Sequence, residues 1–358
     1  MATSRDVARL AGVSQATVSR ALSNGKVSAV TRKKILEAAA SVGYVPNLGA
    51  RAMKTGRVET IGVVVADLTN PFYPEILDAL TEYLDRAGQK VTLWNSDGPG
   101  NDAALEAINA GSIDGVIFTT VVEASAPLRA ALAKHSPVVL INRVVETLRC
   151  DQVVSDNAVG GRTVADYFLA NGHTKIAMLG GPSSASTARD RTRGFAERLS
   201  EAGVPLRADW TMEGTTFSHD YGYAAASEIL ASEDRPTAIF CSNDLIAFGA
   251  LDAARSANIA VPEELWVVGY DDIAMGAWPA FDLTTMHQPT RTMAEAGAEA
   301  LLERIENPNA PYKTLAFRSH LVQRRSTAAT PPTASAPPRT DETPRRDEDG
   351  APVFSRGG

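Results

Sequence analysis

Between residues 59 and 290 the chain keeps changing its hydrophobic period, from short continuous apolar runs to amphipathic stretches and back, in two successive blocks. No other feature narrows the possible folds so far. In the first block the runs are 60–65 (TIGVVV), 90–94, 115–118 and 137–141, with helical patterns near 72–87, 101–111 and 125–134. Runs of this length bounded by turn residues are strands covered on both faces, and their alternation with helices builds a parallel sheet. The second block repeats the rhythm at 175–179, 238–241 and 265–270, with helices near 158–171, 189–202, 221–232 and 244–257. Two such α/β halves predict a two-lobed clamshell that binds ligand beyond the carboxyl ends of its strands.

The residues just after these runs are polar or aromatic: Asp67 and Asn70-Pro71-Phe72-Tyr73, Asn142-Arg143, Ser242-Asn243-Asp244 and Asp271-Asp272. Each alone reads as a helix cap or a solvated loop. Together they describe a polar cleft.

The first sixty residues are different. They hold ten of the chain's 35 Lys and Arg but three of its 42 Asp and Glu, leaving 25 bases against 39 acids in the remainder. A basic head on an acidic body suggests a nucleic-acid-binding arm, although a solvated basic face has the same composition. Thr3 followed by Asp6 forms a capping-box pattern for a helix with Val7, Ala8, Leu10 and Ala11 as its apolar positions, stopped by Gly12. Ser14 then caps a second helix, 15–22, with Val18, Ala21 and Leu22 inward and Gln15, Ala16, Ser19 and Arg20 outward. Ser28 caps a third through Ala39. Two short helices joined by a glycine turn and braced by a third predict a helix-turn-helix.

The stretch TSRDVARLAGVSQATVSRALSNGKVSAVTRKKILEAAASVGYVPN closely resembles the N-terminal domain of the lactose-repressor/galactose-repressor family of bacterial transcription regulators. Asp6-Val7-Ala8, Ala11-Gly12-Val13-Ser14, Thr17-Val18-Ser19-Arg20, Thr31-Arg32, Gly43-Tyr44 and Pro46-Asn47 carry the likeness. It extends to about residue 326 through DLTNPFYPEI, DGVIF, VVSDN, GHTKIAMLGGP, RPTAIFCSND, VPEELWVVGYDDI and LTTMHQP. The resemblance implies an all-α helix-turn-helix domain (1–45), a hinge helix or linker (46–58) and a periplasmic-binding-protein-like α/β core (59–326) of two parallel-sheet subdomains. The first spans about 59–157 and 290–318, the second about 158–289 and 319–326. It implies a repressor whose grip on a near-palindromic double-stranded operator is set by a small-molecule effector, and a homodimer.

The family's DNA-facing positions fall on Thr3, Arg5, Ser14, Gln15, Ala16, Thr17, Ser19, Arg20, Asn24, Ser28, Thr31, Asn47, Ala50 and Met53. Gln15, Ala16 and Arg20 occupy the base-reading positions, and Gln to adenine, Arg to guanine and Ala to a thymine methyl are compatible pairings. Ser14, Thr17, Ser28 and Thr31 suit phosphate oxygens, with Arg5, Arg32, Lys33 and Lys34 as nearby charges. In relatives the segment around Met53 folds on DNA and wedges an apolar side chain, usually Leu, into the minor groove. Gly49 and its short length leave that helix marginal in isolation.

The effector positions fall on Phe72, Tyr73, Asn142, Arg191, Phe217, Asn243, Asp271 and Gln288. A carboxylate and a guanidinium that grip hydroxyl pairs between aromatic walls suit a sugar or sugar derivative, and the same walls would accept a flat nucleobase. Many relatives have Asp at the position of Asn142. The competing reading is a sugar- or nucleobase-binding protein without a regulatory DNA role.

Other classes find little support. The N-terminus turns charged at once, unlike a signal peptide, and no apolar run nears membrane-spanning length, so a cytoplasmic protein is expected. Cys150 and Cys241 lie far apart in apolar surroundings and the five histidines lack ligand spacing, so neither a disulfide, a metal nor a cofactor is expected. There is no phosphate-binding loop, nucleophile elbow or zinc-protease motif, and no enzyme is expected. Residues 327–358, rich in Pro, Ala, Thr and charge, read as a disordered tail.

Overall fold

A computed structural model describes residues 2–22, 26–44, 56–96, 100–121 and 124–327. The head consists of α1 (Ser4–Ala11), α2 (Gln15–Leu22) and α3 (Ala29–Ser41). Each starts where a side-chain oxygen can satisfy an orphan amide. The Thr3 hydroxyl accepts from the Asp6 amide while the Asp6 carboxylate accepts from the Thr3 amide at 3.0 Å. Ser14 and Ser28 hydroxyls accept from the amides of Thr17 and Thr31, each at 3.1 Å. Val7, Val18 and Ile35 close a small core with Ala8, Ala21, Ala38 and Ala39. α3 runs two residues beyond its expected end at Ala39. The expected hinge at 46–58 lies outside the described residues as far as 55, and so do Asn24, Asn47, Ala50 and Met53.

The body is two lobes. Lobe 1 runs through β1 (Thr60–Val65), α4 (Phe72–Arg86), β2 (Lys90–Asn95), α5 (Gly100–Ala110), β3 (Gly115–Phe118), α6 (Ala126–Ala133), β4 (Val138–Ile141) and β5 (Asp151–Ser155). Lobe 2 follows with α7 (Asn157–Ala170), β6 (Ile176–Gly180), α8 (Ser186–Glu201), β7 (Thr211–Glu213), α9 (His219–Leu230), β8 (Ala238–Cys241), α10 (Asp244–Ser256), β9 (Trp266–Asp271) and β10 (Thr284–His287). The chain then returns to lobe 1 as α11 (Thr290–Glu306) and β11 (Thr314–Phe317), and ends in lobe 2 as β12 (His320–Val322).

Sheet 1 has the order β11-β5-β4-β3-β1-β2 with every pair parallel; sheet 2 has β12-β10-β9-β8-β6-β7, parallel except for β12. The interior strands are buried over nearly their whole length, as a sheet covered by helices on both faces requires. Three crossovers join the lobes, at residues 155–157, 287–290 and 317–320.

The seven strands read from sequence are present within a residue of their expected ends. β5, β7, β10, β11, β12 and α11 were not among those expected. β5 (DQVVS) looks half polar, yet all five residues are buried, because Asp151 is neutralised by Arg304 of α11 at 2.9 Å and 3.1 Å. The partner lies 153 residues away. Thr327, expected as the start of the tail, is fully buried: its hydroxyl meets those of Thr284 at 2.7 Å and Tyr167 at 2.8 Å. The rest of the tail lies outside the described residues.

Helices α7 and α8 touch backbone to backbone. A Cβ on Gly161 would stand 2.2 Å from the Arg191 carbonyl oxygen, and one on Gly194 would stand 2.0 Å from that of Ala158. Gly161→Ala, which in an unobstructed helix gains up to about 1 kcal/mol, should instead destabilise the protein by about 1–3 kcal/mol and displace Arg191. Urea denaturation reads the sign.

Candidate functional site

The head presents α2 outward. Gln15, Ala16, Ser19 and Arg20 are exposed while Val18 and Ala21 face the core, as the helical period dictates. Local bonds hold the polar groups: Gln15 Nε2 donates to Ser4 Oγ at 2.7 Å, and the Ser14 and Ser28 hydroxyls lie 2.8 Å from those of Thr17 and Thr31. Thr3, Arg5, Lys33 and Lys34 are exposed nearby. Arg32, expected with them as a nearby charge, is half-buried: it donates to the Ala21 carbonyl at the end of α2 and braces that helix.

The cleft lies between the lobes, where several strands end at residues in the left-handed region. Asp67, Asn142, Asp271 and Asp272 have φ of 52°, 68°, 117° and 58°. Such conformations cost energy in residues with a Cβ, and they turn these side chains away from the regular strand path. Seven of the eight expected residues line one cleft: Phe72, Tyr73, Asn142, Arg191, Phe217, Asn243 and Asp271. Gln288 does not. It is fully buried behind Asp271, and its Nε2 donates to Asp271 Oδ1 at 2.6 Å. Asn70, Arg143 and Thr187 line the cleft as well and fall outside the mapped set. Asn70 and Arg143 are legible as polar residues following strands; Thr187 is one helical turn before Arg191 on α8, so it shares that face. The atom-free space is about 230 Å³, open solvent included, which is small for a ligand pocket.

Arg191 and Asp271 form the centre. Arg191 Nη1 lies 3.2 Å from Asp271 Oδ1, its Nε donates to Asn157 Oδ1 at 2.8 Å, and Nη1 also donates to the Ser242 carbonyl at 2.6 Å. The guanidinium sits 3.6 Å above the centroid of Tyr270. Asn243 has two uses: its Oδ1 accepts from the Ile246 amide at 3.0 Å to cap α10, which leaves its amide nitrogen for the cleft. Asn142 is buried, and its Oδ1 accepts no hydrogen bond from any described group. An orphaned buried acceptor on a binding surface calls for a donor from elsewhere. Arg143 spans the gap from lobe 1, donating to Thr187 at 2.6 Å, while the Val144 amide donates to Ser186 at 3.0 Å.

Residues 3–47 match the model of bacterial regulatory proteins of the lacI family, and 165–327 match a periplasmic binding protein-like domain. The chain is 34% identical over 331 residues to the HTH-type transcriptional repressor PurR of Photobacterium profundum, covering 91% of this chain and 98% of that protein. It belongs to the lactose-repressor/galactose-repressor family. Among solved structures, the regulator is similar to the Lac repressor dimer bound to operator and the anti-inducer ONPF (TM-score 0.78, 26% identity, 91% of this chain and 99% of that one). It is also similar to the transcriptional regulator CelR in complex with cellobiose (TM-score 0.71, 28% identity, 91% and 100%). This regulator is a DNA-binding protein of two-lobed architecture, not an enzyme. No described helix is long and apolar enough to cross a membrane.

Burial pushes the Asp271 carboxyl up to about 6, outweighing the pull of Arg191, Gln288 and Arg143 in the other direction. Its folded value therefore lies above the unfolded one, near 4. The native state holds this proton more tightly, so the contribution of Asp271 to stability is full below about pH 4 and is lost as pH rises through about 6. Asp271→Asn should flatten the stability profile between those values, measured by urea denaturation across a pH series, and should abolish thermal stabilisation by effector.

Proposed function

We propose that this regulator is a homodimeric repressor that binds a near-palindromic operator and whose operator affinity is set by a sugar or sugar derivative in the cleft. The observation that carries the reading is the convergence of donors and acceptors at Arg191, Asp271, Asn142 and Asn243 in a cleft also lined by Phe72, Tyr73 and Phe217. A hydroxyl donates one hydrogen bond and accepts two, so closely alternating donors and acceptors suit a polyol, while the rings suit its apolar face. The cellobiose-bound structural relative supports this class. The aromatic walls also favour a second reading, a flat nucleobase.

Effector control follows from the crossovers. Ser155, Asn157 and Gln288 sit on two of them and bond to the cleft's central pair or to one another. A ligand that competes for those bonds changes the angle between the lobes. That angle sets the separation of the two heads in a dimer, hence their fit to half-sites one helical turn apart. The heads supply base reading through Gln15, Ala16 and Arg20.

A fragment from the regulator's own upstream region, titrated with protein across a salt series, tests this directly. A steep fall in affinity with salt is expected, because phosphate neutralisation releases counterions. Arg20→Ala should cost about 1–3 kcal/mol on operator and relax one base preference, whereas Lys33→Ala should chiefly reduce the salt slope. Equal losses on operator and random DNA for Arg20→Ala would remove it from base reading. A shallow salt dependence with intact sugar binding would leave a binding protein without a DNA role. Sugars and nucleobases added to the preformed complex decide the effector class.

A further inference from the structure

The two arginines of the cleft are not equivalent. Arg191 faces a carboxylate, whereas Arg143, 7% exposed, has no described carboxylate within ion-pair distance. Its Nη1 donates to the Thr187 hydroxyl at 2.6 Å, its Nη2 to the Tyr73 hydroxyl at 3.4 Å, and the guanidinium lies 5.7 Å from the Phe217 centroid. All of these partners are neutral. Burial pushes the Tyr73 hydroxyl up, so it supplies no negative charge. A guanidinium carries five donors and is always charged; two hydroxyls use two of them. Buried arginines are almost always paired with an anion.

The preceding residue sharpens the imbalance. Asn142, 4% exposed, presents a neutral amide whose Oδ1 has no partner among the described groups. The lining thus carries two guanidiniums against one carboxylate, and that carboxylate is already engaged by Arg191 and Gln288. Thr187 and Tyr73 accept from Arg143 here, but their hydroxyls can rotate to donate to an oxyanion placed beside it.

We infer that the effector is an anionic monosaccharide derivative, a polyol bearing a carboxylate or a phosphate, with Arg143 gripping the anionic group and Asn142 Oδ1 accepting from a hydroxyl. This rests on the reading of the cleft as a sugar site. Carboxylate and phosphate share the pair of oxygens that a guanidinium holds bidentately. Arg143 then sets specificity, and the charge surplus discriminates against neutral sugars because they leave it with only the more distant pull of Asp271, itself engaged by Arg191.

The full-length protein is tested by thermal shift and calorimetry against matched sets: glucose with gluconate, glucuronate and glucose phosphates; ribose with ribonate and ribose phosphates. Hypoxanthine and guanine form the flat-base arm, and sodium sulfate at equal ionic strength controls for salt. Acid or phosphate members should bind at least tenfold more tightly than their neutral parents, and which of the two binds distinguishes the sources. Arg143→Gln should erase that preference, Arg143→Lys should retain part of it, and Asn142→Asp, which adds the missing negative charge, should shift it toward the neutral parent. Neutral parents binding as well as the anions would overturn the inference while the sugar reading stands. Nucleobases alone binding would overturn both. No binding by any anionic member, or an Arg143→Gln variant that loses stability but keeps the preference, would likewise overturn it, the latter reducing Arg143 to a latch between lobes.

Discussion

Arg191 and Asp271 place opposite charges 3.2 Å apart where neither is more than a few per cent exposed. Removing two ions from water costs more than their attraction returns unless the remaining donors and lone pairs are also satisfied. Here they are, and by residues that do more than neutralise. Asn157, which receives the Arg191 Nε proton, begins the helix that follows the first crossover. Gln288, which donates to Asp271, lies on the second and also receives the Ser155 hydroxyl from the first. Tyr270, beneath Arg191, donates to Ser319 on the third at 3.2 Å. The electrostatic centre of the cleft is therefore bonded to every segment that joins the lobes.

The sequence was most legible where burial is apolar. β1, β3, β4 and β8 announce themselves as unbroken runs because both faces of a parallel sheet exclude water. It was least legible where burial is bought by pairing. Asp151 and Gln152 look like loop residues, and nothing local says that Arg304 will neutralise one of them or that the Val145 amide will donate to the other at 3.0 Å. The same contrast holds in the cleft. Asn142, Asn243 and Asp271 could be found from strand ends alone, but Thr187 required knowing which face of α8 meets the cleft, and the retreat of Gln288 behind Asp271 required knowing the register of β10 on β9. Family resemblance placed Gln288 at the site; only the geometry gives it a supporting position.

The head works on a different scale. Its core is seven small or branched side chains, so its precision comes from caps and short polar bonds rather than from packed volume. Ser14 both starts α2 and meets Thr17 Oγ1, and Arg32 closes the other end of that helix. These bonds fix the outward face before DNA arrives, which lowers the entropy lost on binding. Net negative charge on the remainder of the chain keeps polyanionic DNA off the lobes and leaves the basic head as the point of contact.

The Asp151–Arg304 pair also has a consequence in time. Sheet 1 is finished only by β11, and its buried carboxylate acquires a counter-charge only when α11 arrives. At bacterial synthesis rates the 153-residue separation between Asp151 and Arg304 takes on the order of ten to thirty seconds to be made. During that interval lobe 2 can assemble all but its last strand while lobe 1 waits with an open edge and an unmatched acid. The nascent chain therefore closes both sheets only at the end of the body, lobe 1 with β11 and lobe 2 with β12, and a ribosome that stalls before residue 304 releases a head attached to two unfinished lobes, a substrate for proteases rather than a constitutive repressor.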